Sequence, residues 1–148
     1  MSEAVEIRPA VLEDCGSIGI LAHNLGYPST IETVKKRLSQ IIQNNEHQVF
    51  VAGEIGGMLV GFIHIYQNFH IETDTSAEIG ALVVSPEHRR LGIGRRLFNQ
   101  AIEWSTDRNL RIIRCRNHAP DAESFAFFNN MNFRQLNPQI VFVYHLPT

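Results

Sequence analysis

The sequence predicts a single α/β domain over residues 1–148, with its elements in the order βααβββαβαββ. Three observations predict it. Short β-branched runs alternate with segments whose apolar residues recur at helical spacing. The stretch LVVSPEHRRLGIGRRL, residues 82–97, passes from a strand through a Ser-Pro stop into a glycine-opened helix. A chain of 148 residues with 44% hydrophobic and 19% charged side chains suits one full core and argues against disorder.

Taken in order, Val5 and Ile7 alternate with Glu6 and Arg8, a half-buried strand closed by Pro9. Cys15, Ile18, Leu21, Ala22 and Leu25 then predict a helix over residues 11–25, in which Gly16 and Gly19 each cost roughly 1 kcal/mol relative to alanine. Gly26-Tyr27-Pro28 breaks it. Ser29 and Glu32 form a capping box for a second helix with the stripe Ile31, Val34, Leu38, Ile41 and Ile42; Lys35, Lys36 and Arg37 lie mostly off it, toward solvent. Residues 48–52 and 58–66 read as strands joined by a hairpin at Gly56-Gly57. Residues 67–75 form a polar loop, and 77–85 form the central strand. The next helix, running to about Asp107, buries Ile93, Leu97, Phe98, Ala101 and Ile102. A strand follows over 110–116, then a helix from Pro120-Asp121 through Ala122, Phe125, Phe128 and Met131. Strands over 133–136 and 140–146, split by Asn137-Pro138, close the chain.

The chemistry concentrates at residues 89–96. A helix start leaves about four backbone N–H groups without intrahelical partners and carries about half a positive charge. Gly92 and Gly94 keep side chains away from those donors, while Arg89, Arg90, Arg95 and Arg96 bring four cations suited to phosphate oxygens. A strand, a turn and such a helix make a pyrophosphate cradle. A Walker-type loop is excluded because its G-K-[ST] is missing, and a dinucleotide fingerprint needs three glycines where two stand here.

The pattern [RQ]-x-x-G-x-[GA] after LVVSPE resembles motif A of the GNAT acyltransferase superfamily, which binds the pyrophosphate of acetyl-CoA. The resemblance covers nearly the whole chain. It extends to Asn117 and to the helix with Phe127-Phe128 before Asn132-Phe133, which is similar to the family's N…A..FY…GF segment. It implies a mixed, strongly twisted sheet flanked by helices, and a cofactor site at Leu82, Val83, Val84, Arg89, Arg90, Leu91, Gly92, Ile93, Gly94, Arg95, Asn117 and Phe128. Backbone groups of Leu82, Val83 and Val84 would hold the pantetheine arm like an added strand, in a gap opened toward residues 112–116. A backbone N–H near Val83 would polarise the thioester carbonyl.

Glu78 is the candidate general base and acceptor contact, four residues before Leu82 and so expected on the same face as Leu82 and Val84. The resemblance makes Tyr27, in the wall of the acceptor pocket, a further substrate contact, together with His64; His64, on the adjacent strand, and His70, in the polar loop, are also weaker candidates for the base. Phe128 stands where the family has a tyrosine that protonates the leaving thiolate, so Tyr144, Tyr66 or solvent becomes the proton source. His64, His70, Glu72 and Asp74 match neither zinc nor calcium spacing, and no metal is expected.

The expected activity is acetyl-CoA-dependent transfer to a primary amine of a small molecule; the segment AEIGALVV, the phenylalanine-rich helix and the VFVYHL ending look closest to aminoalkylphosphonate acetyltransferases. Alternatives are acetylation of a protein N-terminus or lysine, and an acyl-CoA-binding module with little activity. A formal net charge of −2 argues against nucleic-acid partners. The first residues carry no basic-then-apolar signal and no apolar run approaches ~18 residues, so no membrane segment is expected. Cys15 and Cys115 have no motif spacing and read as reduced thiols of a cytoplasmic protein. A homodimer is the expectation from similar proteins.

Overall fold

The structure, a computed structural model, describes residues 5–24, 26–54, 58–116, 122–136 and 139–148. It falls into two compact units, Met1–Arg116 and Asn117–Thr148.

The first unit is built on a five-stranded sheet in sequential order. Its strands are β1 (Val5–Pro9), β2 (His47–Glu54), β3 (Leu59–Asn68), β4 (Ser76–Val84) and β5 (Ile113–Cys115). The first three pairings are antiparallel and β4–β5 is parallel, so the sheet is mixed. Parallel neighbours need a crossover, supplied by helix α3 (Ile93–Asp107). Helices α1 (Cys15–His23) and α2 (Ile31–Ile42) join β1 to β2.

Each face of the sheet has its own cover. Cys15, Ile18 and Leu21 of α1 and Val34 and Leu38 of α2 form one core with Val49, Val51, Phe62 and Val83. On the other face, Ile93 and Leu97 of α3 stand over Gly61. The predicted α3 stripe is buried at Ile93, Leu97, Phe98 and Ala101, while Ile102 is 40% exposed.

Several boundaries differ from the sequence reading. The first helix begins at Cys15, after a 3-10 turn over Leu12–Asp14. There the Asp14 carboxylate accepts the Val11 N–H at 2.8 Å and pairs with both Arg8 nitrogens at 2.8 and 2.9 Å. Arg8 holds Asp14 below the ordinary carboxylate pKa. The cap of α2 is Thr30, whose hydroxyl accepts the Thr33 N–H, whereas Ser29 accepts a bond from Arg37. Ile31 and Ile42 are largely exposed because they sit at the helix ends, beyond the reach of the core. The predicted turn at Gly56-Gly57 lies outside the described residues.

In the second unit, α4 (Ala122–Asn130) ends in a bond from the Phe133 N–H to the Phe128 carbonyl, with the two rings edge-to-face at 5.2 Å. The two closing strands expected over 133–136 and 140–146 are not formed among the described residues. Their β-branched and aromatic content reports fitness for a pleated, half-buried surface, and a strand exists only where a partner supplies the ladder. The observed order is therefore βααβββαβα.

Candidate active site

The β3–β4 ladder contains the feature that arranges the site. His64 pairs with Ala81 and Ile65 with Ile79, leaving Gly80 as an extra residue on β4. Such a bulge shifts the two-residue alternation by one. Leu82, the partner of Ile63, consequently faces α3, whereas Glu78, the partner of Tyr66, faces the opposite side. The expectation that Glu78 and Leu82 share a face is corrected by this one residue.

Register partners project to one side, so His47, Tyr66 and Glu78 form a row across β2, β3 and β4, with His64, Asn68 and Ser76 beside them. This row continues the face whose apolar end lies under α1 and α2. His47 Nδ1 and His64 Nε2 are 2.9 Å apart, and both rings lie against Tyr66 with centroids 4.9 and 5.3 Å away. Glu78 is 4% exposed and has three polar partners. Its Oε2 accepts from the Tyr66 hydroxyl at 3.0 Å and pairs with Arg116 at 3.2 Å; its Oε1 accepts from the Asn68 amide at 3.3 Å. Burial and the adjacent carboxylate raise the Tyr66 pKa, and the same two causes push the Cys115 thiol up to about 11.

Burial, then the neighbouring His47, brings His64 down to about 4. A ring kept neutral this way binds fewer protons folded than unfolded between about pH 4 and its ordinary 6.5. The stability from excluding the charge is thus fully present above about pH 6.5 and is lost as pH falls toward about 4, by at most about 3 kcal/mol. Urea midpoints compared at pH 7 and pH 4.5 should show this loss, and His64→Gln should flatten it. An acid limb untouched by the substitution would place its origin elsewhere.

The cradle begins where β4 ends. A 3-10 turn over Pro86–His88 leads to Arg90 and Gly92, both left-handed with φ of 66° and 81°. Glycine adopts that conformation freely, whereas a residue such as Arg90 holds it at a cost of about 1–2 kcal/mol. No atom lies within 4 Å of where a Cβ on Gly92 would stand. The first i→i−4 bond of α3 runs from Arg96 N–H to the Gly92 carbonyl, so the N–H groups of Ile93 and Gly94 precede it. Arg89, Arg90 and Arg95 are exposed around this turn, and Arg89 Nε donates to the Val84 carbonyl at 3.4 Å. Arg96 is drawn out of the set, because its guanidinium donates to the Val5 carbonyl at 2.8 Å. Room, backbone donors and arginines together fit a pyrophosphate.

Beside the cradle the described β4–β5 pairing stops. Among the described residues, the β4–β5 ladder covers Ala77, Glu78 and Ile79 opposite Ile113, Arg114 and Cys115. Residues 80–84, which include Leu82, Val83 and Val84, have no partner on that side among the described residues.

The remaining predicted residues are more dispersed. Tyr27 is exposed in the connection between α1 and α2. His70 lies 3.4 Å from the Ser76 hydroxyl, and Glu72 and Asp74 are exposed in the loop before β4. Among the described residues no three His, Cys, Asp or Glu side chains converge on a metal-sized site. Asn117 lies outside the described residues. Phe128 and Tyr144 belong to the second unit; Tyr144 lies in a segment without strand structure. The sequence reading did not include His47, Asn68 or Arg116 in the site. The alternation of His64, Tyr66 and Asn68 with Ile63 and Ile65 was the available signal for Asn68, whereas His47 and Arg116 join only through strand pairing.

The acetyltransferase (GNAT) family profile matches residues 20–133. An uncharacterized N-acetyltransferase of Methanocaldococcus jannaschii is 31% identical over 97 residues, covering 64% of this chain and 42% of the relative. Another from Archaeoglobus fulgidus is 35% identical over 81 residues, covering 53% of this chain and 54% of the relative. The match thus spans about half the length of these relatives. An aminoglycoside antibiotic 6′-N-acetyltransferase from Acinetobacter baumannii superposes with a TM-score of 0.83 at 16% identity, covering 97% of this chain and 99% of that one. Glucosamine-6-phosphate N-acetyltransferase from Arabidopsis thaliana gives 0.80 at 15% identity, covering 95% and 99%. Likeness at such identities speaks for the fold. Among the described residues, no helix is long and apolar enough to cross a membrane.

Proposed function

The chain belongs to the acetyltransferase (GNAT) family, and from that premise we propose that it transfers the acetyl group of acetyl-CoA directly to a primary amine of a small molecule. The observation that carries this reading is the left-handed Gly92 turn at the start of α3, which follows the end of β4 where its described pairing with β5 has stopped. Arg89, Arg90, Leu91, Gly92, Ile93, Gly94 and Arg95 bind the pyrophosphate, and the main chain of Leu82, Val83 and Val84 holds the pantetheine arm. Val83 N–H polarises the thioester carbonyl. Asn117 and Phe128 are assigned to the cofactor by the sequence resemblance alone.

Direct transfer is favoured over a covalent acyl-enzyme by the cysteines. Cys15 is buried in the core, and Cys115, with its thiol near pKa 11, stays protonated at neutral pH and is a poor nucleophile. The acceptor side is the polar row of Glu78, Tyr66 and His64, with Tyr27 as a further contact. A buried carboxylate there suits the N–H donors of an amine, in keeping with the resemblance to aminoalkylphosphonate acetyltransferases. The acceptors of the structural neighbours, aminoglycosides and glucosamine 6-phosphate, are likewise amines on small polar molecules.

The competing reading is an acyl-CoA-binding module, favoured by Phe128, whose ring has no hydroxyl to protonate a thiolate. Release of free CoA thiol across panels of small amines, aminoglycosides and peptides decides between them. Turnover with small amines is the expected result. Turnover confined to peptides moves the assignment to protein acetylation, and tight acetyl-CoA binding without turnover moves it to the binding module.

A further inference from the structure

We infer that His64 is the group that takes the acceptor's proton and returns it to the departing sulfur, with His47 as its positioning residue and Glu78 as the group that orients the amine. The inference rests on the acetyl-transfer reading and names the acid–base machinery of that site.

Glu78 is poorly placed to receive a proton. Its Oε2 already accepts from both the Tyr66 hydroxyl and the Arg116 guanidinium. A proton arriving there displaces one of them, in a side chain that is only 5% exposed. Oε1 has a single donor, Asn68 at 3.3 Å, and keeps capacity for one hydrogen bond from a ligand. That describes a group that positions an amine.

His64 has the complementary arrangement. Nε2 is committed to His47 Nδ1 at 2.9 Å, while Nδ1 lies over the bulge, 2.6 Å from where a Cβ on Gly80 would be. Gly80 is exposed and is the residue at which β4 leaves its ladder with β5. The missing side chain lets the His64 ring stand over the point where the described β4–β5 pairing ends. The charged and titratable groups around the ring are His47 from β2, Tyr66 on the same strand, and Glu78 with its partner Arg116 from β4 and the end of β5. Burial keeps the ring neutral at pH 7 and makes it a weak base, so a proton it takes during attack is held only briefly.

The step balances as follows. The amine reaches the site after losing one proton to water. As its nitrogen bonds to the acetyl carbon, an N–H bond breaks and H–Nδ1 forms on His64, whose Nε2–H is shared with His47 Nδ1. The C–S bond then breaks, and the Nδ1 proton passes to sulfur. Amide and free CoA thiol leave, and His64 returns to its starting tautomer. A buried imidazolium gives up its proton readily, which suits the second half and supplies the acid that Phe128 lacks.

The test uses the full chain with the most active amine of the panel, and with hydroxylamine, already neutral at pH 7, as reference. His64→Gln should slow single-turnover transfer by about 100-fold, to the amine and to hydroxylamine alike, and spare acetyl-CoA affinity measured by calorimetry. His47→Gln should give a smaller loss and move the acid limb of the rate to higher pH, because the neighbour that helps hold His64 down is gone. Glu78→Gln should raise KM for the amine and leave the pH profile in place. If Glu78→Gln removes the pH dependence and His64→Gln keeps it, Glu78 is the base and the inference falls. Nitrogen-15 NMR of the unmodified protein is independent of variant folding: an Nε2–H tautomer at His64 supports the inference and an Nδ1–H tautomer overturns it. An unmodified protein that acetylates no amine refutes the acetyl-transfer reading instead.

Discussion

Gly94→Asp should lower acetyl-CoA affinity by at least about 100-fold while leaving the fold intact. Gly94 sits in the first turn of α3, where its N–H precedes the first intrahelical bond. A carboxylate at this point meets the pyrophosphate it should admit, and like charges at such range cost several kcal/mol, with about 1.4 kcal/mol per tenfold in affinity. The same substitution favours the helix itself. Aspartate is a better helix residue than glycine, and a negative charge in the first turn complements the dipole. Folding and binding therefore move in opposite directions, which separates a blocked cradle from a damaged protein. Titration calorimetry with acetyl-CoA and a thermal melt on the same sample measure both. Near-normal affinity in a well-folded variant would remove the cradle from this turn.

What the sequence disclosed, and what it hid, follows from the range of the interactions involved. The α3 face and the cradle were legible because helical spacing and the Gly92–Gly94 pair are local: a few consecutive residues determine them. The face of Glu78 was not. Counting in twos from Leu82 placed it with Leu82, and the extra residue at Gly80 reversed the answer. A bulge is a property of two strands in register, and a glycine inside a strand marks it only weakly. The same holds for His47, whose proximity to His64 depends on β2–β3 pairing across 17 residues. The cap of α2 was missed by one residue because Ser29 and Thr30 are both competent, and the bond from Arg37 to Ser29 engages the other candidate. The closing strands over 133–136 and 140–146 were read from composition alone, and composition does not supply the partner that a ladder requires. The polar row was half visible. Its histidine, tyrosine and asparagine alternate along β3, yet only the register reveals that Glu78 is where they converge.

Leu97→Ala should cost about 2–5 kcal/mol of stability and lower the melting temperature by about 5–15 °C, whereas Ile102→Ala should cost under about 1 kcal/mol. Both residues lie on the stripe that marks α3 in the sequence, but only Leu97 is fully enclosed; Ile102 is 40% exposed. Leu97 stands over β3, with a terminal carbon 3.2 Å from where a Cβ on Gly61 would be. The space around it is already closed, since that same Cβ would lie 2.8 Å from the Val83 carbonyl oxygen. Truncation leaves a cavity that a packed sheet and helix fill poorly, so the loss of contact adds to the loss of burial. The consequence reaches the site through geometry. α3 carries the cradle at its first turn, and Leu97 is the next turn's anchor to the strand beside Val83. Acetyl-CoA affinity of Leu97→Ala should therefore fall with rising temperature well before the protein melts, as the helix start loses its fixed place over the sheet. Ile102→Ala should keep the wild-type temperature dependence. Equal losses of stability in the two variants would mean that α3 packs on a different face from the one that buries Leu97.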